Sequence, residues 1–119
     1  ILLATRAMEK WRGRVCLVTG ASVGIGAALV KALVKEGVRV AGCARRKDRL
    51  DQLRESLDEE DRKLFLPLDC DLTKEDQIKS LFASIVETWG GVDILINNGN
   101  PSFFAWLISV KRGSASQRA

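Results

Sequence analysis

Residues 15–26, VCLVTGASVGIG, run from a short apolar strand through three glycines into the start of a helix, and no other stretch constrains the fold as tightly. A strand that breaks into glycines and restarts as a helix points unpaired N–H groups and a partial positive charge at whatever lies beyond the turn. Glycine there lets the backbone turn sharply and approach a pyrophosphate. The spacing is Thr19, Gly20, three residues, Gly24, Ile25, Gly26 rather than GxGxxG. A lone glycine triplet is a weak signal, but a preceding strand and a following helix are the context that dinucleotide binding requires.

Downstream, the hydrophobic period alternates. Val15 to Val18 form an almost continuous apolar run, as in a strand buried on both faces of a parallel sheet. Ile25, Ala28, Leu29, Ala32 and Leu33 recur at helical spacing up to Glu36, and Gly37 is the stop. Residues 38–43 read as a second strand. A second helix is expected over 47–60, with Leu50, Leu53 and Leu57 inward and Lys47–Asp51 and Arg54–Asp58 pairs on a solvated face. Residues 64–68 read as a third strand, and Pro67, which lacks an N–H, places it at an edge or at its end. Thr73 with Asp76 resembles a capping box ahead of a third helix whose stripe is Ile78, Leu81, Phe82, Ile85, Val86 and Trp89, ended by Gly90 and Gly91. Residues 92–96 are a fourth strand. The alternation predicts an α/β, doubly wound parallel sheet of order 3-2-1-4, the first two helices on one face and the third on the other.

Composition excludes several classes. The 19 Lys and Arg against 15 Asp and Glu give a net charge of +4, spread along the chain except at Arg45, Arg46 and Lys47. With no long basic tract interleaved with aromatics, nucleic acid is not an expected partner. The longest late apolar run, 103–108, falls far below the roughly 20 residues of a membrane span. Cys16, Cys43 and Cys70 are odd in number, widely spaced and without histidine anywhere, which reads as buried reduced thiols in a cytoplasmic protein, with no metal site.

The glycine turn matches at every defined position the TGxxxGIG of the short-chain dehydrogenase/reductase family, which the chain resembles over about residues 8–98. That family carries an Asp-aliphatic-Ser/Thr element after strand three, where Asp71, Leu72 and Thr73 stand, and NNAG after strand four, where Asn97 and Asn98 match but Gly99 and Asn100 do not. The resemblance implies a Rossmann-type fold, a nicotinamide cofactor contacted by Gly20, Ser22, Gly24, Ile25, Gly26, Asp71, Leu72 and Asn98, and hydride transfer to or from an alcohol or carbonyl substrate. It also implies homo-oligomeric full-length relatives. MEKWRGR and GCARR resemble the branch acting on steroid or isoprenoid alcohols and ketones.

An acidic side chain at the end of strand two would accept bonds from a ribose 2′-hydroxyl, whereas a guanidinium forks a 2′-phosphate. Ala44 is followed by Arg45 and Arg46, about 25 residues after Gly20. NADP is therefore expected over NAD, the alternative being two solvated arginines before a charged helix. The family's chemistry rests on a Tyr-xxx-Lys pair and a Ser, and the chain contains no tyrosine, so no catalytic residue is assigned. Residues 1–7 remain an unassigned leader ahead of Met8, and residues 99–119 are expected to be a poorly ordered, non-family tail. The expected protein is thus a truncated cofactor-binding fragment, with a non-catalytic NADP-binding or dimerising short isoform as the alternative.

Overall fold

The computed structural model describes residues 10–22 and 24–98. The leader before Met8 and the tail from Gly99 lie outside the described residues.

The chain runs β1 (Val15–Thr19), α1 (Gly24–Lys35), β2 (Arg39–Ala44), α2 (Lys47–Glu55), α3 (Glu59–Arg62), β3 (Phe65–Asp69), α4 (Glu75–Trp89) and β4 (Ile94–Asn97). The four strands are parallel in the order β3-β2-β1-β4. Every residue of β1 is buried, because it has a strand on each side and helices on both faces. Its side chains alternate between two cores. Cys16 and Val18 join Val30, Leu33 and Val34 of α1, Leu50 and Leu53 of α2, and Phe65. Val15 and Leu17 join Ala41, Cys43 and the Ile78, Leu81, Ile85 stripe of α4. The predicted distribution of helices over the faces is therefore the one observed. Pro67 lies in β3, an edge strand, and pairs in register with Gly42.

Three local expectations are corrected. First, α1 buries Gly26, Val30, Leu33 and Val34, while Ile25 is 72% exposed and Ala28 and Ala32 face outward. The helix is apolar almost all round, so periodicity alone offers two stripes. The close approach of Gly26 to the β1 turn selects between them.

Second, the helix predicted over 47–60 divides. The Ser56 hydroxyl donates to the Leu53 carbonyl at 2.6 Å, and the Ser56 N–H is shared between the Gln52 and Leu53 carbonyls. Leu57 still turns into the core, Asp58 is extended, and α3 begins at Glu59. Arg62 closes the break by donating to the Arg54 and Glu55 carbonyls at 3.2 and 2.9 Å, the first of which also accepts the Leu57 N–H at 3.1 Å. Lys47 and Asp51 do pair at 3.8 Å, but Asp58, being outside the helix, pairs with Lys35 at 3.6 Å.

Third, Thr73 is not the cap of α4. Lys74 holds that position without a side-chain bond, and the Thr73 hydroxyl donates instead to Asp71 Oδ1 at 2.7 Å. Val86, expected in the stripe, is 54% exposed on the outer flank of α4.

Gly90, in the left-handed region, ends α4 by donating to the Val86 carbonyl. Asp93 then exchanges two bonds with Val15, its N–H to the Val15 carbonyl at 2.8 Å and its carboxylate accepting the Val15 N–H at 2.9 Å. β4 is thereby registered on β1. Among the described residues β4 is the other edge of the sheet, and all four of its residues are half-buried.

Candidate functional site

β1 is the point at which the strand order reverses: the chain leaves it towards β2 and returns to its other side as β4. In a doubly wound sheet, this geometry opens a crevice beyond the carboxyl ends of the strands. An open cleft of about 370 Å³ lies there, walled by Thr19, Gly20 and Ser22 at the end of β1 and in its turn, Cys43 to Arg46 at the end of β2, Cys70 to Thr73 after β3 and Asn98 after β4.

Thr19 forms its floor. It is fully buried, and its hydroxyl is satisfied twice, donating to Asn97 Oδ1 at 2.7 Å and accepting the Asn98 N–H at 2.9 Å. One side chain therefore holds the ends of β1 and β4 together. Gly20 follows at φ +63°, and a Cβ there would stand 2.5 Å from the Asn98 carbonyl oxygen. Both the dihedral and the contact demand glycine. The Ala21 N–H donates to the Cys43 carbonyl at 3.1 Å, which draws the turn across β2. Gly26 has an ordinary helical φ, but a Cβ on it would overlap the Gly20 carbonyl oxygen and come within 2.9 Å of Asn98 Nδ2.

Of the residues singled out from sequence, Gly20, Ser22, Arg45, Arg46, Asp71, Leu72 and Asn98 line the cleft together. Gly24 and Ile25 do not line it; they are exposed at the first turn of α1, beside it. Gly26 is buried behind the turn and acts through packing. Thr19, Cys43, Ala44, Cys70 and Thr73 also form the wall without having been named as contacts. Thr19 carried a signal, the TG of the turn. The cysteines carried none, because a strand-end thiol looks the same in sequence whether it faces a core or a cleft.

The walls differ in charge. The first turn of α1 contains no acidic residue, so its N-terminal field is left positive. Arg45 and Arg46 line the end of β2, and the Arg46 guanidinium is engaged by Asp48, Nε to Oδ1 at 3.1 Å and Nη2 to Oδ2 at 3.0 Å. Across the cleft, the Asp71 carboxyl lies below its ordinary range, chiefly because the Thr73 hydroxyl donates to it, then through the Thr73 N–H at 3.0 Å and the charge of Arg45. The Asp71 N–H donates to Gln77 Oε1 at 2.8 Å, which ties this wall to α4. Cys43 and Cys70 are neutral thiols: burial pushes them up to about 12 and about 11. All three cysteines are free and buried.

The donor set suits an anionic nucleotide: a tight glycine turn, a helix N-terminus without a competing carboxylate, two guanidinium groups at one end and an ordered carboxylate at the other.

Comparison with known proteins agrees with this geometry. A family model described as short chain dehydrogenase matches residues 14–104. Among curated proteins, dehydrogenase/reductase SDR family member 11 of Gallus gallus is 48% identical over 92 residues, covering 76% of this chain and 36% of that protein. Farnesol dehydrogenase of Aedes aegypti is 43% identical over 91 residues, covering 76% and 37%. Among solved structures, L-sorbose reductase from Gluconobacter frateurii, complexed with NADPH and L-sorbose, superposes with a TM-score of 0.69 at 33% identity, covering 76% of this chain and 34% of that one. An actinorhodin polyketide ketoreductase with NADPH gives a TM-score of 0.64 at 39% identity, covering 74% and 34%. The chain spans about a third of the length of the curated relatives it matches. The turn, the strand order and these matches converge: the chain belongs to the short-chain dehydrogenase family.

Proposed function

We propose that the chain binds NADP(H) as the cofactor-holding part of an oxidoreductase that moves hydride between the nicotinamide and an alcohol or carbonyl carbon. Members of the family are oxidoreductases that bind nicotinamide cofactors. The preference for NADP rests on one observation: β2 ends in Ala44 where a carboxylate would serve a free ribose 2′-hydroxyl, and Arg45 and Arg46 follow on the cleft wall. The NADPH found in the sorbose reductase and the ketoreductase supports the same reading.

Each wall of the cleft then has a task. Gly20, Ser22, Gly24 and the first turn of α1 receive the pyrophosphate, with Ile25 beside it and Gly26 keeping the turn close. Arg45 and Arg46 take the 2′-phosphate. Asp71 and Leu72 hold the adenine, the carboxylate being held in place by both Thr73 donors. Asn98, bonded to Thr19, marks the side on which the nicotinamide leaves the β1 turn. The cofactor supplies the hydride; these residues bind and orient it. The 119 residues contain no tyrosine, so in this reading the family's tyrosine acid–base group is supplied from outside them. The second reading is a non-catalytic NADP-binding or dimerising short form. Size-exclusion chromatography with and without NADPH separates a dimer from a monomer.

Isothermal titration of the 119-residue chain tests the principal reading. NADPH should bind with NADH at least about tenfold weaker, since a hydrogen bond to a charged group contributes about 1.5–3 kcal/mol. Arg45→Ala should weaken NADPH binding far more than NADH binding. Equal losses for both cofactors would overturn the NADP assignment.

A further inference from the structure

Arg46 stands at the start of α2 and lines the cleft, yet one edge of its guanidinium is already occupied. Nε and Nη2 both donate to the Asp48 carboxylate, at 3.1 and 3.0 Å, in the side-on fork that arginine makes with planar anions. Asp48 lies two residues further on, in the first turn of α2, and is not itself part of the cleft wall. Both side chains are mostly exposed, 61% and 58%, so the fork is a weak, solvent-screened pair that a competing anion can displace. A 2′-phosphate arriving at Arg46 therefore meets a guanidinium whose preferred edge is taken and a carboxylate held beside it. The cofactor must open the fork or use the remaining edge in the presence of that negative charge, well inside the roughly 10 Å screening length at 0.1 M salt. Arg45 is placed differently, its charge acting on Asp71 across the cleft.

We propose that Asp48 is a specificity-determining residue: by holding Arg46 in an internal fork it competes with the cofactor's 2′-phosphate and limits discrimination between NADPH and NADH. The inference rests on the NADP reading of the cleft. Asp48 acts on the cofactor through Arg46 and touches neither ribose nor phosphate. Competition and repulsion act in the same direction, so neutralising Asp48 strengthens phosphate binding.

The test is titration of the full chain and its Asp48→Asn variant with NADPH and NADH at low and high salt. Asp48→Asn should tighten NADPH binding about three- to fivefold, the factor lost when an exposed ion pair must be opened, and leave NADH unchanged. The gain should shrink at high salt and disappear when Asp48→Asn is combined with Arg46→Ala. Asp48→Ser should reproduce it, and near-identical thermal midpoints should show that α2 is intact. A wild-type preference for NADPH that Asp48→Asn leaves unchanged or reduces overturns this inference alone. So does a gain that persists without Arg46 or is equal for NADH. A wild-type chain with no preference for NADPH overturns the NADP reading and this inference with it.

Discussion

Replacing Gly26 by Ala sets two well-characterised effects against each other. In an exposed helix interior the change is favourable by about 0.8–1.0 kcal/mol, because alanine loses less backbone entropy and glycine is the poorer helix former. Gly26 is buried in the first turn of α1, its φ is ordinary, and no strained dihedral is relieved or imposed. Its surroundings decide the sign. The new methyl would overlap the Gly20 carbonyl oxygen and crowd Asn98 Nδ2 at 2.9 Å, and the first of these is backbone fixed by β1 and by the Ala21–Cys43 bond. Overpacking a rigid site typically costs about 1–3 kcal/mol. Since backbone rather than a flexible side chain must yield, the upper half of that range applies. The net expectation is a loss of about 1–2 kcal/mol in urea unfolding, with an unchanged m-value. Ala32→Gly, at an exposed position of the same helix, calibrates the propensity effect and should lose about 1 kcal/mol. A Gly26→Ala variant as stable as the parent, or more so, would refute the idea that close approach of helix and turn requires this glycine.

Two further outcomes concern titration. Thr73→Val removes the hydroxyl that holds Asp71 low, so the Asp71 carboxyl should titrate nearer its ordinary value of 3.8 by carboxyl-resolved NMR; no change would show that the N–H bond and Arg45 suffice. Because the folded carboxyl is depressed, its contribution to stability is present above that ordinary value and is lost as pH falls through the lower, folded one, a loss smaller in Thr73→Val. The cysteines behave in the opposite sense. Burial raises Cys16 and Cys70 to about 11 and Cys43 to about 12, so folding favours the protonated thiols below the unfolded value of 9.0 and loses that advantage as pH rises from 9 towards 12. Stability should fall over that interval, and iodoacetamide should label the native chain slowly at about pH 8 but rapidly in urea; fast native labelling would contradict the burial of all three.

Much of the architecture was legible because it rests on periodicities that leave little choice. An unbroken apolar run such as 15–18 has to be covered on both faces, and only a central strand between two helical layers provides that. Pro67 marked an edge or an end of its strand through its missing donor, and the strand is an edge; Arg45 and Arg46, singled out by charge, do line the cleft. Local errors arose where two patterns were equally good. Leu50, Leu53 and Leu57 keep helical spacing across a break at which the Ser56 hydroxyl takes the Leu53 carbonyl and Arg62 closes over the carbonyls of Arg54 and Glu55. Thr73 has the spacing of a cap, but its hydroxyl found the nearer carboxylate of Asp71.

The sequence by itself determined the strand–helix alternation, the glycine turn at β1 and the sign of charge around it, because these depend on residue type and short-range spacing. Only the tertiary structure decided which face of α1 is buried, that the Thr19 hydroxyl holds the ends of β1 and β4 together, and that Arg46 is engaged by Asp48 while the charge of Arg45 acts on Asp71. Those outcomes depend on which groups come within a few ångströms once the strands are in register, and spacing along the chain does not encode that distance.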